Sequence, residues 1–503
     1  MRMFKGFDVR SALFGFLSGL LLVLSMPKPD FYPLAWVALV PLLVAIFTAP
    51  NLKRAILPSY VAGVMFFAGT CYWITETMMI YGGVSTLEAI GIGFLFALTF
   101  AFHIVLVGIP VWLAIERWGA MGMLAAAPAW VTVELLRTYW VSGFPWMLFG
   151  YALVPFSGIL QIVTWTGVYG LSFIAVAVNS VFAIGIVTRS FRWLGAAAAI
   201  AIVLSVLPII GEKPPAGDPI TARIVQANIS LDQPWDEPAS KQLLDELSQL
   251  STASPGTVQL IVWPETPAPF YLKEDPSFRQ RIEQIATASQ AYVLVGYIDK
   301  MGTEFTNSAG LVDPHGKLIS RYDKMHLVPF GEYIPLKPLL FFAESLTRQV
   351  GDYMPGTEYT ISPVGNHRFS TAICYESIFP ALVRQFVKRG SELIVVITND
   401  GWFGESSAPF QHLRMGVARA VENRRYEVRT ANTGISAIID PYGRIQNPTS
   451  IGRRVAVDGK VYFRSDQTFY TRYGDVFAFA NAAVTAIGLV TVLMRRKNVR
   501  RSH

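Results

Sequence analysis

Eight apolar stretches, at about 11–27, 31–48, 55–79, 88–115, 120–138, 158–187, 191–210 and 476–494, constrain this chain more than any other feature. A helix needs roughly 20 mostly apolar residues to cross a bilayer. The spacing therefore predicts a multi-pass α-helical membrane domain of about eight spans. Charged residues make up 15% of the 503 residues and hydrophobic residues 52%. A soluble protein has about 25% charged residues, and the shortfall here is concentrated in the first two hundred residues and the last thirty. The first stretch follows basic residues, as a cleavable signal would. No small-x-small cleavage pattern follows it and further spans come at once, so it reads as an anchor.

Basic residues set the orientation. Arg2, Lys5 and Arg10 precede the first stretch, Lys53 and Arg54 follow the second, and Arg117 follows the fourth. Arg189 and Arg192 follow the sixth, and Arg495, Arg496, Lys497, Arg500 and Arg501 follow the last. With eight spans all of these fall on one side, the cytoplasmic one, together with both termini. The formal charge of +7 thus reads as membrane orientation, and nucleic acid is not an expected partner. Three domains follow: a helical membrane domain over 1–211, an extracytoplasmic domain over 212–475, and a last span with a basic tail over 476–503.

Within the spans, Glu76, His103, Glu134 and Arg137 stand out, because charge at membrane depth is costly. Glu134 and Arg137 are one helical turn apart, so they are expected to pair with each other. The loop at about 139–157, YWVSGFPWMLFGYALVPFS, reads as an aromatic belt at the bilayer interface or as a lip that guides lipid.

The linker GEKPPAGDP opens the polar region. Short β-rich runs follow: ARIVQANI, VQLIVWPE, YVLVGYI, SAGLVD, STAICYE, ELIVVITND and ISAIID. Helix-like stretches at 238–251, 276–289, 378–389 and 409–424 alternate with them, which predicts an α/β or layered α–β–α domain.

Three strand ends present reactive side chains. Glu265 ends VQLIVWPETP, Lys324 and Glu332 lie in SRYDKMHLVPFGEYIP, and Cys374 sits where FSTAICYES runs out of apolar residues. The chain has two cysteines, Cys71 in an apolar stretch and Cys374 in the polar region, and they are not expected to pair. A free thiol with pKa near 8.5 is mostly protonated at neutral pH. A neighbouring carboxylate can take its proton during attack, and a lysine can stabilise the thiolate and then an oxyanion. Cys, Lys and Glu thus suffice for two-step acyl transfer without metal or cofactor. Taken singly, Cys374 could be a small buried hydrophobe, and His326 is a rival base. No nucleophile-elbow serine, HExxH or phosphate loop is present.

WPE at 263–265, DKMHLVPFGEYIP from Asp323, ICYES at 373–377 and TNDGWFG at 398–404 occur in this order. Together they resemble the nitrilase superfamily, which implies an α–β–β–α sandwich with a Glu–Lys–Cys triad. Joined to eight spans, with the domain between the seventh and eighth, the chain resembles the apolipoprotein N-acyltransferases of bacterial envelopes. That resemblance implies Glu265 as general base, Lys324 as oxyanion stabiliser and Cys374 as the nucleophile that becomes a thioester. It also marks Trp235, Glu332, Tyr375 and Glu376, and more weakly Asn307 and Trp402. Glu332 or Glu376 would orient Lys324, the backbone N–H of Tyr375 would serve the oxyanion, and Trp235 would pack against lipid or peptide. The implied partners are a phospholipid acyl donor, a diacylated apolipoprotein acceptor and the bacterial inner membrane. Segments around 331–358 and 401–410 are candidate lids. Two other readings remain open: a membrane-tethered amidase or nitrile hydrolase using the same triad, and a transporter or scaffold with an inert outer domain.

Overall fold

The computed structural model describes residues 9–230, 236–253, 256–267, 272, 274–301, 304–334 and 353–501. Trp235 and most of the 331–358 segment lie outside the described residues. The chain divides into two compact units, Met1–Ile80 with Val84–Ile210 and Tyr473–His503, and Tyr81–Gly83 with Gly211–Arg472.

The first unit is helical. Its helices are α1 (Val9–Ser25), α2 (Val40–Thr48), α3 (Leu52–Thr70), α4 (Trp73–Tyr81), α5 (Thr86–Phe100), α6 (Phe102–Trp118) and α7 (Ala126–Tyr139). Two four-residue turns, α8 (Ser157–Leu160) and α9 (Val163–Thr166), lead into α10 (Val168–Val187) and α11 (Phe191–Val206), and Val476–Arg501 is helical as well. Helix thus occupies most of each apolar stretch. Among the described residues three segments are long and apolar enough to cross a membrane: Thr86–Tyr139, Val168–Val187 and Val476–Met494. The pair α3 and α4, bent by 48° at their junction, makes a fourth if taken as one span. The 17 described residues of α1 rise about 26 Å at 1.5 Å per residue, against a hydrocarbon core about 30 Å thick. Within Thr86–Tyr139 the 3-10 stretch Gly119–Ala125 folds α7 back against α6.

Small residues let these helices approach. Gly15 and Gly19 of α1 face α3, and a Cβ on Gly15 would fall 2.3 Å from the Pro58 carbonyl oxygen. This is the small-xxx-small contact expected where apolar burial alone cannot hold helices together in lipid. Polar side chains close the remaining backbone gaps. Asn179 of α10 accepts from Leu39 N at 2.7 Å and donates to Ala35 O at 2.8 Å. Ser18 of α1 accepts from Leu42 N at 2.8 Å. The N–H groups at the start of a helix have no partner within it, and these side chains supply one to α2.

Two expectations for this unit change. Among the described residues no ion pair joins Glu134 to Arg137. Glu134 instead accepts from Trp130 Nε1 at 2.9 Å and Phe149 N at 2.6 Å, and Arg137 lies over the Phe67 ring. The backbone beyond α7 turns inward, which brings the Phe149 N–H to Glu134 and explains its choice of partner. The aromatic loop is likewise not a plain belt. Tyr139, Trp140 and Val141 are exposed, but Trp146 to Leu153 are buried among the helices.

The second unit is a layered sandwich. Its strands are β1 (Ile220–Gln226), β2 (Leu260–Val262), β3 (Tyr292–Met301), β4 (Glu304–Val312) and β5 (Leu318–Asp323). They continue with β6 (Ile361–Val364), β7 (His367–Ile373), β8 (Leu393–Thr398), β9 (Glu427–Ala431), β10 (Ala437–Ile439), β11 (Ile445–Gln446) and β12 (Val455–Val461). One sheet has the order β12-β1-β2-β3-β4-β5 and the other β11-β10-β9-β8-β7-β6. The period of two decides the layers. Ala222, Ile224, Leu260, Val262, Val395, Ile397 and Val428 meet in the core between the sheets. Their alternates Val225, Ile261 and Val293 pack under helices α12 (Glu237–Thr252) and α13 (Pro276–Ser289). Ile394 and Val396 pack under α14 (Pro380–Lys388). On the same outer face, Arg429 meets His412 of α15 (Ala408–Asn423). The result is four layers, α–β–β–α, and burial on both faces explains why β2 and β8 read as unbroken apolar runs.

Replacing Asn179 with Leu removes both partners it supplies, the acceptor for Leu39 N–H and the donor to Ala35 O. Each buried group left unpaired costs about 1–3 kcal/mol. Thermal unfolding of the full chain in detergent should show a clear drop in midpoint, and an unchanged midpoint would mean that water takes over these bonds.

Candidate active site

Strand polarity places the reactive groups at one rim of each sheet. β1, β2 and β3 run parallel, β4 reverses, and β5 returns to the direction of β2. Glu265, just beyond β2, and Lys324, at the end of β5, therefore emerge at the same rim. In the second sheet β7, β8 and β9 are parallel, so Cys374 after β7 and Asn399 after β8 share a rim too. The two rims meet, because Asn399 N donates to Glu265 Oε2 at 2.8 Å.

Lys324 lies at the centre. Its ammonium is 1% exposed, 2.9 Å from Glu332 Oε1 and 3.3 Å from Glu265 Oε1. Asn307 Nδ2 bridges the same two oxygens, at 2.7 Å to Glu265 and 2.9 Å to Glu332. Val328 N fixes the other Glu332 oxygen at 2.8 Å. Burial works against the lysine's charge, but the carboxylates of Glu332 and Glu265 outweigh it and hold its pKa well above the usual lysine range. Lys324 is therefore a fixed cation.

Cys374 follows β7 directly, at φ +53°, and opens the 3-10 helix Cys374–Ile378. A non-glycine residue in this left-handed region costs about 1–3 kcal/mol and is held only when its surroundings determine it. Glu376 supplies that hold. Its Oε2 accepts from Ile373 N at 2.7 Å, and its Oε1 accepts from Tyr322 Oη at 2.7 Å, Met325 N at 2.7 Å and His326 N at 3.1 Å. One carboxylate thus ties the Cys374 turn to the segment carrying Lys324. Burial pushes Glu376 up to about 7, against the pull of these bonds.

The Cys374 thiol is pushed up, first by burial, then by the charges of Glu265 and Asp400. Lys324 and a hydrogen bond with Thr398 act in the opposite direction. A resting thiol next to a carboxylate fits proton removal during attack better than a standing thiolate. No group of three or more metal-binding side chains occurs among the described residues.

Residues 18–181 match the family model for the apolipoprotein N-acyltransferase N-terminal domain, and residues 221–452 match the carbon-nitrogen hydrolase model. The apolipoprotein N-acyltransferase of Geobacter metallireducens is 37% identical over 99% of this chain and 98% of its own. The chain belongs to the apolipoprotein N-acyltransferase family. The Methylococcus capsulatus member of this family is 32% identical, with 88% of each chain covered. A Saccharomyces cerevisiae protein from branch 10 of the nitrilase superfamily is similar in structure, at 20% identity and TM-score 0.39, over 48% of this chain and 90% of its own.

Of the residues expected from sequence, Glu265, Lys324, Glu332 and Asn307 form one contact cluster, with Cys374 near enough for Glu265 and Lys324 to act on its thiol. The choice left open for Lys324 falls to Glu332, while Glu376 braces the Cys374 turn. Tyr375 is buried, with its ring 5.9 Å from His326 and 5.1 Å from Phe379. His326 packs on Phe379 at 3.8 Å, in the manner of a wall residue. Trp402 is exposed. Sequence reasoning did not single out Asn399, Asp400, Ser377, His412 or Arg429. The first two stand inside TNDGWFG, a signal that was available. His412 and Arg429 carry no local pattern at all.

Replacing Lys324 with Ala would strand Glu265 and Glu332 as close, buried carboxylates. Breaking a buried pair in this way costs about 3–5 kcal/mol. Adding Glu332→Gln removes one stranded charge and should recover part of the loss. Denaturant unfolding in detergent compares the two variants, and equal losses would show that the carboxylates are not in conflict.

Proposed function

We propose that the chain transfers a fatty acyl group from a phospholipid, through a thioester on Cys374, to the N-terminal amine of a diacylglyceryl-cysteine lipoprotein. The observation that carries this reading is the buried Glu265–Lys324–Glu332–Asn307 cluster beside a strained cysteine, in a chain that aligns with named N-acyltransferases over nearly its whole length.

The chemistry follows from these groups. Glu265 takes the thiol proton as Cys374 Sγ attacks the ester carbonyl. The oxyanion forms against the Lys324 ammonium, aided by the backbone N–H of Tyr375. The C–O bond then breaks, and Glu265 returns its proton to the departing lysophospholipid oxygen. In the second half the lipoprotein amine attacks the thioester, Glu265 accepts the amine proton, and the sulfur leaves with a proton restored. Trp235 and Trp402 would contact lipid or peptide. No metal or cofactor takes part in any step.

The eight apolar stretches and their basic flanks support a protein of the bacterial inner membrane with eight crossings and both termini in the cytoplasm. Residues 1–211 would hold seven spans, 212–475 the extracytoplasmic catalytic domain, and 476–503 the last span and its tail. Seven spans ahead of the domain exceed what a tether needs, and both substrates are themselves lipid-anchored. Excluding water would favour aminolysis over hydrolysis of the thioester.

Peptide-level mass spectrometry of protein purified from membranes tests the reading. A fatty acyl adduct on Cys374, released by hydroxylamine and absent in Cys374→Ser, is expected. Glu265→Gln should slow its formation by about 100-fold or more, the usual contribution of a general base, and Lys324→Ala should nearly abolish it. A bare thiol after incubation with phospholipid would shift the assignment to a small-substrate amidase.

A further inference from the structure

Behind the nucleophile lies a second group of ionisable side chains that the acyl-transfer chemistry does not use. His412, Asp400, Arg429 and Ser377 are all 1% exposed or less. His412 Nε2 is 2.7 Å from Ser377 Oγ and 3.2 Å from the Cys374 carbonyl oxygen. Ser377 Oγ donates to the same carbonyl at 2.8 Å. On the other side of the ring, Nδ1 lies 2.9 Å from both Asp400 Oδ1 and Arg429 Nη2. Arg429 Nη2 also donates to Asp400 Oδ2 at 2.9 Å, and Thr398 donates to Asp400 Oδ1 at 2.9 Å.

This geometry selects a tautomer. Nδ1 can donate to Asp400 or accept from Arg429, but not both. Burial and the adjacent Arg429 guanidinium push the His412 pKa down against the pull of Asp400, which favours the neutral ring with one proton. With that proton on Nε2, the ring donates toward Ser377 and the Cys374 carbonyl while Nδ1 accepts from Arg429. This choice meets three of its four close contacts, and at the fourth the Arg429 guanidinium, bonded to both groups, offsets the charge of the Asp400 oxygen that Nδ1 faces. A proton on Nδ1 meets only two, and leaves the Cys374 carbonyl without the ring.

We infer that His412 is a positioning residue for the nucleophile: its Nε2–H, oriented by Arg429 (itself held by Asp400) and working with Ser377, pins the Cys374 carbonyl and so holds the strained turn in the conformation that presents Sγ to Glu265. Glu376 clamps the N–H side of that turn through Ile373, and His412 clamps the carbonyl side. The residue at φ +53° between them has no glycine's freedom to hold this conformation unaided. Thr398, which ends β8 at the same rim, fixes Asp400 through its hydroxyl.

The inference rests on Cys374 being the nucleophile, and the test separates the two ideas. Full-length protein in detergent is treated with iodoacetamide, which forms an S–C bond as iodide leaves, and alkylation is followed at the Cys374 peptide. The variants are His412→Gln, whose amide N–H reaches the Nε2 position, and His412→Asn, whose amide reaches only Nδ1. His412→Gln should alkylate within about threefold of the parent protein. His412→Asn should be slower on the order of tenfold, the loss expected of one buried hydrogen bond, at a matched unfolding midpoint. In acyl transfer the same loss should appear in kcat with KM unchanged. Equal rates for the two variants, or losses that track the unfolding midpoint, would overturn the inference. A Gln/Asn difference in alkylation without any acyl adduct would support it while sinking the acyl-transfer reading. A Cys374 inert to iodoacetamide in the parent protein would remove both.

Discussion

The active rim depends on one buried cation. Lys324 is enclosed by protein, and an ammonium in that position survives only if opposite charge comes with it. Glu332 and Glu265 provide the charge, and Asn307 holds their two oxygens at a fixed separation. Glu265 and Lys324 come from one sheet and Cys374 from the other. The contact between the sheet rims, through Asn399 N and Glu265, is therefore also what brings a base, a cation and a thiol together. The paired carboxylates do different work. Glu332 touches the lysine and the backbone of its own loop, which leaves Glu265 as the carboxylate whose charge also reaches the thiol.

The Cys374 turn is strained, and it is braced from two directions. Cys374 takes a left-handed backbone conformation between an apolar strand and a short 3-10 helix. Such a turn carries the chain from the end of β7 into the helix at the rim of the sheet. Glu376 spends all of its hydrogen-bonding capacity on holding this turn to the Lys324 segment. The carbonyl side rests on Ser377 and His412. Both braces are buried and polar, so either would be an unstable arrangement if half-satisfied.

Much of this was legible in the sequence, for physical reasons that differ from element to element. β2 and β8 lie between layers, so their residues had to be apolar on both faces, and an unbroken run such as LIVVIT could hardly be anything else. Helices α12, α13, α14 and α15 each carry an apolar face that must cover a sheet, and their periodicity marked them to within a few residues. β5, β6, β9, β11 and β12 were missed. β9 reads EVRTA because its outer face meets the polar network of α15, so Glu427 and Arg429 hide a fully buried strand. β5 and β12 are edge strands with half-exposed residues, where a polar sequence is tolerated. The site followed the same division. Glu265, Lys324 and Cys374 stand at strand ends inside distinctive motifs. His412 and Arg429 act through contacts between elements far apart in the chain, and no local pattern records those.

A single rule links the two units, although one is built of helices and the other of sheets. In the helical unit Asn179 and Ser18 supply partners to the start of α2, where lipid would offer none. In the sandwich Glu376 does the same for the backbone around Cys374. In each case a buried polar side chain satisfies main-chain groups that secondary structure leaves open, and in each case the position so fixed is one that packing alone would not determine. The difference lies in what is gained. For α2 it is a helix of nine residues held at its entry point. For Cys374 it is a thiol kept in a costly conformation near a carboxylate and a cation, and relaxation of that turn would leave all three groups present but no longer in that arrangement.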